Sequence, residues 1–243
     1  MYSRYNDKYF VASKHRTDKL PLIRAVALLA LLTLVVVIAL GAAFLMQSCR
    51  AQELVSLPAS TTGSSLDSGQ SSEFNSTPVS QWQRGIMPIL YQQDPEWSSH
   101  PYAGSTLGIT GCGPACLAMV YVYLTGNTDQ TPATIAALAT SSGCASADGT
   151  AWLFMTSGAH ALGIAAEELP ADRDLIAQHL RAGNPIIAVL GAGDFTTEGH
   201  FIVLTGIDSN NQITVHDPNS VERTQQTWDL DSLMFQFRNL WVY

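Results

Sequence analysis

The stretch Gly108-Ile109-Thr110-Gly111-Cys112-Gly113-Pro114-Ala115-Cys116-Leu117-Ala118-Met119 constrains the fold more than any other. Small and turn-forming residues lead into one cysteine. A Gly-Pro step then opens an apolar helix through Val120, Tyr121, Val122, Tyr123 and Leu124 that stops at Gly126. Proline fits the first helical turn, where its missing N–H has no intrahelical partner to lose, and glycine fits the position just past a helix end. Cys112 therefore stands at or just before a helix N-terminus. Unpaired backbone N–H groups and the positive end of the helix dipole favour an anion there. A thiolate is such an anion, so the setting lowers a cysteine pKa and makes the sulfur nucleophilic. Gly111 and Gly113 are expected to leave the sulfur uncovered and to let a substrate backbone come close.

Not all of the 243 residues can belong to one globular unit. Ala25 to Met46 is an uncharged apolar run of 22 residues. At about 1.5 Å per residue it spans a bilayer core of about 30 Å. Six basic residues (Arg4, Lys8, Lys14, Arg16, Lys19, Arg24) and two acids (Asp7, Asp18) precede it. Residues 1–24 are thus expected to be a cytoplasmic basic tail, 25–46 an anchor helix, and the rest extracytoplasmic. A cleaved signal peptide is the alternative, with Gly41, Ala42 and Ala43 as small residues near the end of the run; the product would then be secreted. Cys49 reads as an ordinary juxtamembrane cysteine. Residues 47–80, rich in Ser and Thr, are expected to form a flexible linker, which leaves 81–243 as a single domain.

The charge is divided accordingly. Residues 1–24 carry a net +4, and the remainder, with six basic and 18 acidic residues, carries −12; no lysine follows Lys19. An acidic exported domain argues against nucleic acid as a partner. Of the four cysteines, Cys49, Cys112, Cys116 and Cys144, none falls in a CxxC pair or a His/Cys metal spacing, so neither a zinc site nor a cofactor is expected. Cys116 and Cys144 are either a disulfide or, preferably, two small buried apolar residues.

Along the domain, Gln81 to Tyr91 reads as an entry segment ending in a short strand, followed by a turn-rich loop, Gln92 to Ser99. After the Cys112 helix, Thr131-Pro132 starts a second helix ending near Gly143. Gly149 is expected to start a third helix that stops at Gly163, with Trp152, Phe154, Met155 and Leu162 inward. Asp172 to Arg181 is a fourth, with Leu175, Ile176 and Leu180 inward. The pattern then changes to strands: Pro185 to Leu190, His200 to Ile207, Gln212 to Asp217 and, after a short helix, Asn239 to Tyr243. Helices first and an antiparallel sheet last define an α+β class.

The hairpin places chemistry. If Asp208 to Asn211 form its loop, Ile207 faces Gln212 and Ile202 faces Asp217. His200 and Ile202 share a face at period two, so Asp217 lies diagonal to His200, about 7–8 Å away and within reach of an imidazole. His216 points the other way. A one-residue slip would reverse this arrangement. Cys112, His200 and Asp217 thus supply a thiol, a base and an orienter for the base. An oxyanion donor is also needed: the Cys112 backbone N–H, with the side-chain amide of Gln92 or Gln93. Of the remaining histidines, His15 belongs to the cytoplasmic tail, and His100, His160, His179 and His216 read as surface or packing residues.

These pieces together resemble the papain-like cysteine peptidases of the bacteriocin-processing (double-glycine leader peptidase, C-39) type, in particular their exported stand-alone relatives. The matching stretches are Tyr91-Gln92-Gln93-Asp94-Pro95-Glu96-Trp97, Gly111-Cys112-Gly113-Pro114-Ala115-Cys116-Leu117-Ala118-Met119, Gly149-Thr150-Ala151-Trp152, Gly199-His200-Phe201-Ile202-Val203-Leu204 and Asp217-Pro218-Asn219. The resemblance implies a papain-like fold with Cys112 as nucleophile, His200 as base, Asp217 as orienter and Gln92 as oxyanion amide. Gly111, Gly113, Trp152 and Gly199 are expected to line the substrate. The chain departs from the leader-processing members in carrying Gly111 where they have Asp and in placing the glutamine further upstream. The function expected is a membrane-anchored extracytoplasmic cysteine peptidase or amide hydrolase acting on a peptide or protein. A non-catalytic peptide- or cell-wall-binding surface module on the same scaffold, and an acyltransferase, remain the alternatives.

Overall fold

The computed structural model describes residues 74–243. The expected basic tail, the anchor and linker residues 47–73 lie outside the described residues. Among the described residues no helix is long and apolar enough to cross a membrane. The folded part begins before Gln81. The Ser76 N–H donates to Asp94 Oδ2 at 2.9 Å, the Thr77 N–H donates to the Ile89 carbonyl at 2.8 Å, and the Phe74 ring stands edge-on to Tyr91. Ser76 Oγ in turn accepts the Tyr91 N–H. Backbone groups that a strand ending at Tyr91 would have used are therefore taken by residues 76 and 77. The entry segment is extended, with one isolated bridge between Gln83 and Ile86.

In chain order the elements are β1 (Pro101–Tyr102), β2 (Ser105–Thr106), α1 (Leu107–Thr110), α2 (Cys112–Thr125), α3 (Pro132–Ser141), β3 (Ala145–Ser146), β4 (Gly149–Thr150), α4 (Phe154–Ala161), β5 (Glu167–Leu169), α5 (Arg173–Arg181), β6 (Ile186–Leu190), β7 (His200–Ile207), β8 (Gln212–His216), α6 (Val221–Thr224), β9 (Thr227–Asp229), α7 (Leu230–Leu233) and β10 (Phe237–Val242). Six strands form one sheet in the order β5-β10-β6-β7-β8-β9, each antiparallel to its neighbour. The α+β class expected from the sequence is the one observed.

Helix α2 is apolar on every side, and Gly113 through Val122 are all buried. Such a helix needs cover all round. It finds it between β7, α3 and α4, where Leu117, Met119 and Val120 join Val189, Phe201, Val203 and Trp241 from one sheet face. The other face, with Ile186, Ala188, Ile202, Leu204 and Val215, is covered by Ile176 and Leu180 of α5 and by Leu230 and Leu233 of α7.

Two helices differ from expectation. The third begins at Phe154 rather than Gly149, because Gly149 (φ 100°) and Thr150 form β4 and pair back to β3. Trp152 consequently sits in the turn ahead of α4, 38% exposed, instead of in the core. In α5 the sheet is met by Ile176, Ala177 and Leu180, which leaves Leu175 at 37% exposure. Cys116 is a free, fully buried cysteine, so no Cys116–Cys144 bridge forms.

The β7–β8 register carries two departures that cancel. The loop is one residue longer than expected: the Asp208 N–H donates to Gln212 O, Asn211 takes φ 61°, and Ile207 pairs with Ile213. This is a type I turn followed by a left-handed residue. A bulge between Leu204 and Gly206 then absorbs the extra residue, so that Leu204 pairs with Val215 and Val203 with His216. Continued by one step, that register sets Asp217 opposite Ile202, as the sequence predicted.

Gly126 ends α2 at φ 73°, and a β-carbon there would lie 2.8 Å from the Arg84 backbone nitrogen. Gly163 has φ 75° with nothing within 4 Å. Gly163→Ala should therefore cost only the left-handed conformation, about 1–2 kcal/mol, and Gly126→Ala measurably more, because the entry segment must also move. Urea unfolding of the two variants beside wild type checks the difference.

Candidate active site

Cys112 is the first residue of α2, with Gly111 as its N-cap. The two flanking glycines serve packing. A β-carbon at Gly113 would stand 2.6 Å from Thr150 Oγ1 and 2.8 Å from Thr150 Cβ, and one at Gly111 would run into the Leu107 side chain and carbonyl. Their absent side chains let α1, α2 and β4 close around the cysteine, so the nearest neighbours of these glycines are protein. Thr150 is fixed in turn by a 2.6 Å hydrogen bond with the Tyr102 hydroxyl. Gly199 and Trp152 face solvent, and nothing lies within 4 Å of a β-carbon at Gly199.

The start of β7 meets the start of α2. His200 is 6% exposed, and its Nε2 lies 2.7 Å from Asp217 Oδ1. A carboxylate only accepts, so Nε2 carries a proton, and Nδ1 is left for the thiol of Cys112, which hydrogen-bonds the ring. Burial alone would raise the Cys112 pKa. The hydrogen bond and charge of His200 and the backbone N–H groups of Phe201 and Gly113 outweigh it, and the thiol is held below its usual range. Burial likewise disfavours imidazolium, yet Asp217 and Cys112 raise His200 to about 9. The two opposite shifts favour a thiolate beside an imidazolium.

Asp217 is 1% exposed. Burial disfavours its charge, but His200 and then Arg223 hold its carboxyl below the ordinary range. Oδ1 accepts from His200 and from the Asn219 N–H at 2.7 Å. Oδ2 accepts from Arg223 Nε. Thr224 Oγ1 accepts the Asp217 backbone N–H. Arg223 and Thr224 escaped the sequence reading. The available signal was Ser220, whose Oγ accepts the Arg223 N–H as a helix N-cap, together with the rule that a buried carboxylate needs a cationic partner.

Of the two upstream glutamines, Gln92 reaches the cysteine's turn. Its Nε2 lies 3.1 Å and 3.2 Å from the carbonyls of Gly108 and Ile109, which fixes the amide orientation. Its Oε1 is buried without a partner. Gln93 is directed elsewhere, its Nε2 donating to Asn219 Oδ1 at 2.6 Å. His216 points away from the constellation, as expected, and donates from Nδ1 to the Pro88 carbonyl. Among the described residues no three His, Cys, Asp or Glu side chains are grouped to hold a metal ion.

A buried cysteine–histidine–aspartate cluster at the junction of a helix start and an antiparallel sheet is the architecture that the resemblance implied. The model of the Peptidase_C39 like family matches residues 86–243, most of the chain and all three of these side chains. The chain belongs to that family. It is a C39-like cysteine peptidase, and the mixed helix-and-sheet fold is consistent with a papain-like one. A solved structure similar to it is the peptidase domain of Streptococcus ComA, a bi-functional ABC transporter involved in a quorum sensing pathway. That likeness has 20% sequence identity and a TM-score of 0.43, and covers 56% of this chain and 90% of that chain. No curated protein matches.

The electrostatics of this C39-like site predict its reactivity with pH. Anionic iodoacetate should alkylate Cys112 faster than its ordinary thiol chemistry allows while His200 is protonated, and this advantage over neutral iodoacetamide should vanish as the pH rises through about 9. His200→Ala should remove the advantage at every pH and return Cys112 toward the free-thiol range near 8.5. Asp217, with its lowered pKa, contributes stability that is complete above its unfolded value of about 3.9 and lost as the pH falls through the folded one. Asp217→Asn should therefore flatten the acid side of the stability curve measured by thermal unfolding.

Proposed function

We propose that the chain is a membrane-anchored extracytoplasmic peptidase that cleaves peptide or amide bonds through an acyl-enzyme. The observation that carries the chemistry is the 2.7 Å contact of His200 with Asp217 on one side of the imidazole, with Cys112 on the other. In this reading the Cys112 thiolate attacks the substrate carbonyl carbon, and the C–N bond breaks as His200 Nδ1 gives its proton to the leaving amine. His200 then takes a proton from water. The hydroxide so formed attacks the thioester and expels Cys112 as thiolate. The negative oxygen of each tetrahedral intermediate is met by the Cys112 N–H and by one N–H of Gln92, which exchanges one of its two carbonyl partners at the same turn for the substrate oxygen.

The anchor is supported by the uncharged apolar run from Ala25 to Met46 with its basic approach, and the outward side by the positive-inside rule. An outward position, Gly111 before the cysteine and the distant glutamine together favour substrates other than double-glycine leaders. Peptides, including the peptide cross-links of a cell wall, fit the description.

Cys112→Ala should abolish hydrolysis of a peptide library by the full chain. Gln92→Ala should lower kcat by about 10²–10³ with little change in KM, the mark of an interaction made in the transition state. Single-turnover kinetics with an active ester check the assignment: the acyl-enzyme should accumulate in wild type and be absent from Cys112→Ala. Binding of peptides without turnover by the wild-type chain would support the surface-module alternative instead. For the anchor, wild-type protein should stay in the membrane fraction under alkaline wash and be open to external protease on intact cells.

A further inference from the structure

Arg223 lies outside the cysteine–histidine–aspartate trio but is built into it. Its Nε donates to Asp217 Oδ2. Its guanidinium carbon lies 5.7 Å from the centroid of the Phe195 ring, and Phe195, itself 5% exposed, is backed by Trp228 at 4.4 Å between ring centroids. The Trp228 indole N–H donates to the Arg223 carbonyl at 3.0 Å, and Ser220 Oγ accepts the Arg223 N–H. The side chain is thus stacked on one side, hydrogen-bonded in front and fixed at its backbone. This is the arrangement in which a planar guanidinium is preorganised for a carboxylate. Phe195 belongs to the Gly191–Gly199 segment that leads directly into His200. The far end of that segment is tied by Gln236, fully buried, which accepts the Asp194 N–H and donates to Asp194 Oδ2.

We infer that Arg223 is a positioning residue for the reaction proposed above: clamped between Phe195 and Asp217, it fixes the carboxylate that orients His200 and supplies the positive charge that balances the site. The inference rests on that proposed reading. With Cys112 as thiolate, His200 as imidazolium and Asp217 as carboxylate, the trio has a net charge of −1, and Arg223 brings it to zero. Without the guanidinium, Oδ2 keeps no side-chain partner and the site gains a net negative charge. Both changes favour protonation of its members. The other groups facing Asp217 offer no replacement cation. Tyr91 comes from the entry segment, Cys116 from α2 and His200 from β7, and the only other charged residue of α6 is the acid Glu222.

The test is the pH dependence of Cys112 alkylation by iodoacetamide, with the thermal midpoint measured in parallel, on the full chain as wild type, Arg223→Met, Arg223→Lys and Phe195→Leu. The expected result is an acid limb displaced upward by roughly half a pH unit or more in Arg223→Met, restored in Arg223→Lys, and broadened or partly displaced in Phe195→Leu, where the charge stays but its clamp is gone. A residue that only supports the fold would lower the midpoint and leave the limb of the folded fraction in place. An Arg223→Met limb that coincides with wild type overturns the inference. Should Arg223→Met fail to fold, Arg223→Gln, which keeps an N–H for Oδ2 without the charge, is judged by the same two outcomes. Wild type separates the two levels: if its low-pH alkylation does not depend on His200, the peptidase mechanism itself is wrong, whereas a His200-dependent limb that ignores Arg223 rejects only the positioning role.

Discussion

The buried carboxylate of Asp217 is the constraint on which the rest of the site depends. Removing an ion of this size from water costs several kcal/mol even after relaxation, and the cost is offset only when each oxygen finds a well-placed donor. Asp217 finds His200 and the Asn219 N–H for one oxygen and Arg223 for the other. Those partners come from β7, from the turn after β8 and from α6. The position of the carboxylate therefore fixes three pieces of chain relative to one another, and the His200 ring inherits its orientation from them.

The second anchor is α2, a helix with no polar face. Because it must be covered on all sides, its axis is set by the sheet and by α3 and α4 together, and its N-terminus is delivered to the first residues of β7. The dipole end, the Gly113 and Phe201 N–H groups and the imidazole converge on one sulfur. Each is a modest contribution, and together they reverse the effect of burial on the thiol. Close approach at this junction requires Gly111 and Gly113, whose missing side chains make room for Leu107 and Thr150.

Much of this was legible in the chain. The Cys112 helix and both its ends, the four long helices, the central strands and the trio Cys112, His200 and Asp217 follow from glycine and proline placement, period-two alternation and a single hairpin. What was not legible has physical reasons. The β1–β2 and β3–β4 hairpins are two-residue strands, too short to show any alternation, and β4 consumed residues that resemble a helix start, leaving Trp152 outside the core. The role of Phe74 to Thr77 was hidden because a Ser/Thr-rich composition looks the same whether its hydroxyls meet water or, as here, the backbone of Tyr91 and Ile89. Arg223 was hidden because a lone arginine in a short polar stretch carries no pattern until the buried acid beside it is known. Spacing alone did not choose between Gln92 and Gln93, since adjacent side chains of one type differ only in where the backbone aims them; the resemblance pointed to Gln92, the one that reaches the cysteine's turn.

The bulge at Thr205 has a further meaning for how such a site can persist. A hairpin normally transmits any change in its turn along both strands, because pairing is counted from the loop. Here the count is reset between the loop and the chemistry, with Ile207 and Gly206 on one side obeying a different tally from Leu204 and Val203 on the other. The outer part of the hairpin is in effect an adjustable coupling. The pairing that sets Asp217 opposite Ile202, and so diagonal to His200, is counted from the bulge and not from the tip. The length and surface of the tip are thereby uncoupled from the geometry that holds the Asp217 carboxylate beside the His200 ring.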